Sequence, residues 1–208
     1  MAPPTSLVHV IDDDDAVRES LEFLLRAAKI EVRTYDSATT FLATVPGSGA
    51  GCIVTDVRMP GLSGVDLLRQ LKARGSTMPV IVITGHGDIQ LAVEAMKIGA
   101  ADFLEKPFDD EALLASVRSA LGRLEKDAQR ESERTDLSNR LAALSARERE
   151  VLEGLVAGKA NKIIAFDLGI SPRTVEIYRA HVMTKMNAGS LSELVRMALL
   201  AGVLNAGE

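Results

Sequence analysis

Two textures of apolar patterning alternate along the first part of the chain. Short strand-like runs rich in Val, Ile and Leu lie near 7–11, 30–35, 52–55, 80–83 and 101–104. Between them, stretches near 14–28, 37–45, 64–74, 87–98 and 109–121 carry apolar residues at helical spacing. Val17, Leu21, Leu24, Leu25 and Ala28 trace one such stripe, and Val65, Leu67, Leu68 and Leu71 another. Five strand–helix units in succession predict an α/β domain over residues 1–122, a parallel sheet with helices on both faces. Right-handed crossovers then bring all five strand ends to one edge of that sheet.

The texture changes near Gly122. Residues 124–143 are rich in Glu, Arg, Asp, Lys and Gln, with a sparse apolar stripe that includes Leu137 and Leu141. This predicts a charged, largely helical linker over 123–143. Ser145 and Glu148 then form a capping-box pair. Only helical patterns follow, near 146–157, 161–168, 172–186 and 191–201, with Gly158, Gly169, Pro172 and Gly189 between them. An all-α domain is expected over 144–208.

The strand ends carry the candidate chemistry. The first apolar run ends in Asp12-Asp13, the third in Asp56, the fourth in Thr84, and the fifth leads into Lys106-Pro107. Taken singly, each has an ordinary explanation: helix caps for the Asp run, with Asp14 and Asp15 solvated, and turn residues for Asp56 and Lys106. Taken together at one sheet edge, they suggest a site for a phosphoryl group. An Asp carboxylate can attack a phosphoryl donor if a divalent cation screens the repulsion. Mg²⁺ suits Asp12, Asp13 and Asp56, with the backbone carbonyl of Arg58 completing the set. Lys106 would neutralise one phosphoryl oxygen and Thr84 would hydrogen-bond another.

Composition narrows the classes. No apolar run approaches the ~20 residues that span a bilayer, and the N-terminal residues lack secretory-signal character. The single cysteine, Cys52, offers no internal disulfide partner and fits a reducing, cytoplasmic setting. Residues 1–122 carry 11 basic and 17 acidic groups, and residues 145–208 carry eight and seven. The C-terminal part is nearly neutral, so DNA binding has to come from the arrangement of its charges.

Val10-Ile11-Asp12-Asp13, Asp56-Val57-Arg58-Met59-Pro60-Gly61, Thr84-Gly85 and Lys106-Pro107-Phe108 resemble the signature of response-regulator receiver domains. The resemblance implies a flavodoxin-like fold, Asp56 as phosphoacceptor, Asp12 and Asp13 as metal-site acids, Thr84 as switch hydroxyl and Lys106 as the phosphate-sensing lysine. Phe103 stands at the family's switch aromatic, and is also expected in the core of the last strand. His86 is given no catalytic role.

In the C-terminal part, Gly169 suits a left-handed helix end, Ser171 an N-cap and Pro172 the first turn of the next helix. Val175, Val182 and Met186 make an inward stripe. Lys162, Arg173, Thr174, Glu176, Ile177, Arg179 and Lys185 lie away from it or flank it and are the candidate DNA contacts. Leu144-Ser145, Arg147-Glu148, Glu150-Val151-Leu152, Asn161-Lys162, Ile164-Ala165 and Ser171 with Thr174-Val175 resemble the LuxR-type helix-turn-helix domain. That family often has Lys where Glu176 stands and His at Tyr178. The whole chain is similar to a nitrogen-fixation branch of these regulators. This implies a cognate histidine kinase, promoter DNA and RNA polymerase as partners, activation of nitrogen-fixation or microaerobic genes, and a homodimer upon phosphorylation. The helix at 87–98, with Ile89, Val93, Ala95, Met96 and Lys97, is the expected dimer face. Two rivals are a Mg²⁺-dependent aspartyl phosphatase and a protein-interaction adaptor. The first lacks the second Asp such enzymes place close after the nucleophile, since position 58 is Arg. Slow self-hydrolysis is then the expected turnover.

Overall fold

A computed structural model of the chain describes residues 7–44, 51–85 and 89–202. It divides into two compact units, residues 1–127 and 128–208. The first alternates β1 (Leu7–Ile11), α1 (Asp15–Ala27), β2 (Glu31–Tyr35), α2 (Ala38–Thr44), β3 (Cys52–Asp56), α3 (Gly64–Ala73), β4 (Val80–Thr84), α4 (Ile89–Ile98), β5 (Asp102–Glu105) and the start of α5 (Asp110–Ala142). All strand pairings are parallel, in the order β2-β1-β3-β4-β5. The five-stranded, doubly wound sheet expected from the sequence is therefore present.

Both sheet faces are covered, which is why the central strands read as nearly unbroken apolar runs rather than alternating ones. Ile11, Ile53, Val80 and Val82 enter one core with Leu67, Leu68 and Leu71 of α3. Val8, Val10, Val54, Ile81 and Ile83 enter the other with Leu21, Leu25, Leu113 and Val117. His9 is buried at 2 % exposure among these apolar groups, where its Nδ1 shares a 3.1 Å hydrogen bond with the Tyr35 hydroxyl.

The edge strand departs from expectation. Phe103 is 43 % exposed, not a core residue, because β5 has a neighbour on only one side. On α4, Ala95 is buried in the first core while Val93 and Met96 are exposed, so Ala95 cannot belong to an outer face. His86, the expected starts of that helix at 87 and 88, and the side chain of Ile89 lie outside the described residues.

The second unit is helical: the end of α5, then α6 (Ala146–Val156), α7 (Asn161–Leu168), α8 (Pro172–Met186) and α9 (Leu191–Leu200). Leu137 and Leu141, one turn apart on α5, are buried with Leu152, Ile164, Val175, Val182, Met186 and Leu194. The expected capping box forms: Ser145 Oγ accepts from the Glu148 N–H at 3.3 Å, and Glu148 Oε2 accepts from the Ser145 N–H at 2.8 Å. Among the described residues, no helix is long and apolar enough to cross a membrane.

Candidate functional site

The order β2-β1-β3 means that connections leave β1 and β3 in opposite directions, opening a crevice above the ends of those two strands. Asp12 follows β1 and Asp56 ends β3, so both acids rise into it. Lys106, just beyond β5, reaches over them: its Nζ donates to Asp56 Oδ1 at 2.6 Å and to Asp12 Oδ2 at 3.2 Å. The remaining oxygens take backbone donors. The Arg58 N–H donates to Asp56 Oδ2 at 2.6 Å, and the Asp14 N–H to Asp12 Oδ1 at 2.9 Å.

Charge shapes this cluster. Burial pushes the Asp12 carboxyl above the usual carboxylate range, against the pull of the Asp14 N–H and the Lys106 ammonium. Lys106 moves the opposite way to its own desolvation: hydrogen bonding and attraction to Asp56, and then attraction to Asp12, raise it above the usual lysine value. One ammonium thus sits between the two carboxyl groups. The pocket sets the Asp56 carboxyl group beside a fixed positive charge.

Not every expected residue converges equally. Asp13 is exposed, with no partner for its carboxylate among the described residues. Thr84 is 2 % exposed, and its hydroxyl donates to the Gly85 carbonyl at 3.3 Å rather than to Asp56. Arg58 addresses Asp56 through its N–H. Among the described residues no three acids close into a metal cage.

Two contributors went unread in the sequence. Gly64, the first residue of α3, lies against the backbone of Asp56: a Cβ there would stand 2.1 Å from the Asp56 carbonyl oxygen. Its signal was a glycine right after the Ser63 cap, where most residues serve better. Arg18, one turn inside α1, donates from Nη1 to the Asp12 carbonyl at 2.6 Å and pairs with Asp15. Nothing in its spacing distinguishes it from a solvated helix charge.

In the second unit, α7 ends at Gly169 with φ 65°, and Ser171 caps α8 by accepting from the Thr174 N–H at 3.1 Å. Pro172 occupies the first turn. Val175, Val182 and Met186 are fully buried, which fixes the opposite face of α8 outward. Arg173, Glu176 and Ile177 are exposed on it, Ile177 to 51 %. Lys162, Glu176 and Arg179 line one groove of about 550 Å³ bounded by the α6–α7 connection, the start of α7 and α8. The Thr174 hydroxyl is engaged with Ser171 Oγ at 2.8 Å, so it serves the cap. Lys185 also has partners within its own domain. Its Nζ donates to Glu148 Oε2 at 2.7 Å and to the Ala143 carbonyl at 3.2 Å, which ties its charge to the domain's own buried acid.

Comparison with known proteins agrees with both halves. The family model for the response regulator receiver domain matches residues 8–118, and that for bacterial regulatory proteins of the luxR family matches residues 142–198. The transcriptional regulatory protein FixJ of Azorhizobium caulinodans is 64 % identical over 206 residues, covering 99 % of this chain and 98 % of its own. FixJ of Bradyrhizobium diazoefficiens is 56 % identical, covering 95 % and 97 %. Among solved structures, full-length FixJ from B. japonicum is 56 % identical, with TM-score 0.61 and coverage of 96 % and 98 %. The response regulator StyR is 42 % identical, with TM-score 0.82 and coverage of 93 % and 98 %. With relatives this similar along nearly its entire length, the chain belongs to the two-component response regulators that couple a receiver domain to a LuxR-family DNA-binding domain, and it is a transcription regulator of the FixJ type.

Proposed function

We propose that Asp56 accepts a phosphoryl group from a histidine kinase and that its charge shifts the chain toward a homodimer that activates transcription. The observation that carries this is the Asp56–Lys106 contact of 2.6 Å at the crevice, with Asp12 beside it. An Asp56 carboxylate oxygen attacks the donor phosphorus and a P–O bond forms; the P–N bond to the kinase imidazole breaks with its electron pair going to nitrogen, and the ring, having taken one proton from water, leaves as neutral imidazole. Lys106 stays with the new phosphoryl oxygens. The Thr84 hydroxyl turns from the Gly85 carbonyl toward one of them.

Asp12, Asp13 and Asp56 are the acids that would hold Mg²⁺, by the chemistry of their oxygens and not by a cage already closed around an ion among the described residues. Asp13 offers an exposed carboxylate with no partner among the described residues, and Asp12 a buried one. One exposed acid beside two buried ones suits an ion that keeps several waters. Bound there, Mg²⁺ supplies the positive charge that lets carboxylate and phosphoryl oxygens approach. The Arg58 carbonyl remains the proposed backbone ligand. With Arg58 where a phosphatase would carry a second acid, loss of the phosphoryl group is slow self-hydrolysis.

Val93, Met96 and Phe103 are exposed apolar side chains on α4 and β5, which supports this surface as the one that dimerises after Thr84 moves. A symmetric dimer matches a two-fold DNA site; the same reading takes RNA polymerase as a partner and the cytoplasm as the setting. The proposed DNA contacts are Lys162, Arg173, Glu176, Ile177 and Arg179. Glu176 can accept from cytosine N4, and Ile177 can meet a thymine methyl. The regulon proposed is nitrogen-fixation or microaerobic genes, on the strength of the FixJ relatives. The test is size measurement and gel shift of wild type and Asp56→Asn with acetyl phosphate and Mg²⁺. Wild type is expected to dimerise and bind promoter DNA more tightly, and the variant to do neither. Equal dimerisation of the two proteins would overturn the proposal.

A further inference from the structure

We propose that Arg18 is a positioning residue for the cation-binding acids: it fixes the backbone between β1 and α1 so that Asp12 and Asp13 face one metal. The proposal rests on the Mg²⁺ site proposed above. Asp12 to Asp14 form a short joint between strand and helix, and each residue of such a joint has two soft dihedrals. An unrestrained joint would let adjacent carboxylates swing apart.

Beside the Asp12 N–H bond to the Tyr35 carbonyl and the Lys106 contact, three further holds act within the joint and α1. The Asp12 carboxylate accepts the Asp14 N–H at 2.9 Å. The Asp14 carboxylate caps α1 by accepting from the N–H groups of Ala16 at 2.8 Å and Val17 at 3.3 Å. Arg18 supplies the third hold, folding back along α1. Its Nη1 donates to the Asp12 carbonyl at 2.6 Å, while Nη2 pairs with Asp15. The Arg18 side chain is only 16 % exposed, low for a residue on a surface helix. A planar guanidinium with two donors on two acceptors fixes direction as well as distance. Between these holds Asp13 is exposed, its carboxylate without a partner among the described residues.

Electrostatics and positioning predict opposite signs, which makes the proposal testable. Arg18 is a cation near a proposed cation site, so removing its charge alone should strengthen metal binding. Removing its grip on the joint should weaken it. Supports one layer behind a metal ligand typically change affinity by about 10–100-fold.

The experiment titrates Mn²⁺ into the full chain and follows free Mn²⁺ by electron paramagnetic resonance, for wild type, Arg18→Ala, Arg18→Lys and Asp13→Asn. Circular dichroism confirms the fold of each. Arg18→Ala is expected to bind Mn²⁺ about tenfold more weakly. Arg18→Lys should recover part of the loss, since an ammonium can still reach one acceptor but cannot hold two in a plane. Equal or tighter binding by Arg18→Ala, with binding lost in Asp13→Asn, overturns the role of Arg18 and leaves the metal site standing. If Arg18→Ala does not fold, Arg18→Lys decides: affinity equal to wild type overturns the proposal, and a severalfold loss supports it. A wild type that binds no Mn²⁺, or an Asp13→Asn that binds as wild type does, removes the metal site and the role of Arg18 together.

Discussion

Gly64→Ala adds a single methyl group beneath the proposed phosphoacceptor, and the structure says why that is costly. Gly64 donates its N–H to the Val57 carbonyl at 3.0 Å, which draws the first turn of α3 against the end of β3. A Cβ built there lies 2.1 Å from the Asp56 carbonyl oxygen, 3.0 Å from its carbon and 3.2 Å from Thr55 Cγ2. Real Cβ atoms essentially never approach within 3.0 Å, so strand and helix must part by about 0.9 Å. The obstacle is backbone inside a densely packed interior, not the end of a side chain that could swing away. Overpacking of this kind costs about 1–3 kcal/mol, and the upper end applies to a backbone clash. Replacing glycine by alanine in a helix returns at most about 1 kcal/mol. A net destabilisation of about 2 kcal/mol is expected from the difference. Gly122→Ala is the matched control. Gly122 lies within α5 with nothing within 4 Å of its added Cβ, so this change should stabilise by about 0.5–1 kcal/mol. Urea unfolding followed by far-UV circular dichroism reads both. Because Asp56 is the residue displaced, Gly64→Ala should also slow phosphoryl uptake from acetyl phosphate. A Gly64→Ala protein within about 0.5 kcal/mol of wild type, phosphorylated at the same rate, would refute the close-approach argument.

Other outcomes follow from single groups. Hydrogen bonds from Lys185 and the Ser145 N–H hold Glu148 down to about 2, from an ordinary 4.5. A carboxyl lowered on folding stabilises above its unfolded value, and that stability is lost as pH falls through the folded one. The difference in melting temperature between wild type and Glu148→Gln should therefore be largest above about pH 4.5 and shrink toward pH 2; a gap constant across that window contradicts the assignment. Cys52 is fully buried, and burial pushes its thiol up to about 12, so native protein at pH 8 should resist an aromatic disulfide reagent that reacts promptly after unfolding. Arg179→Ala should weaken specific DNA binding and lower the salt slope by about one. An unchanged slope and affinity across several salt concentrations would remove Arg179 from the interface.

Much of this molecule was legible from local pattern. Periodicity identified the strand and helix segments, and the rule of right-handed crossovers carried Asp12, Asp56, Thr84 and Lys106 to one sheet edge. Gly169, Ser171 and Pro172 announced the turn between α7 and α8, because helix ends demand particular backbone freedoms and donors. Those signals are short-range and leave a mark on residue type. The exposure of Phe103 left none, since an aromatic on an edge strand reads the same as one in a core. The pairing of Lys185 with Glu148, 37 positions away at 2.7 Å, left none either.

Sequence alone therefore determined which chemical groups this protein owns, which elements bear them and to which edge of the sheet they belong. Tertiary structure decided how those groups are divided. It joined Lys106 to both Asp56 and Asp12 across separations of 50 and 94 residues, kept Thr84 on a backbone carbonyl, left Asp13 free, and used Arg18 and Gly64 to set the backbone around them. The reason is physical. Helix and strand preferences depend on neighbours within a few positions. A shared proton donor, a buried carboxylate or a 2.1 Å approach depends on distances that exist only after the chain has closed on itself.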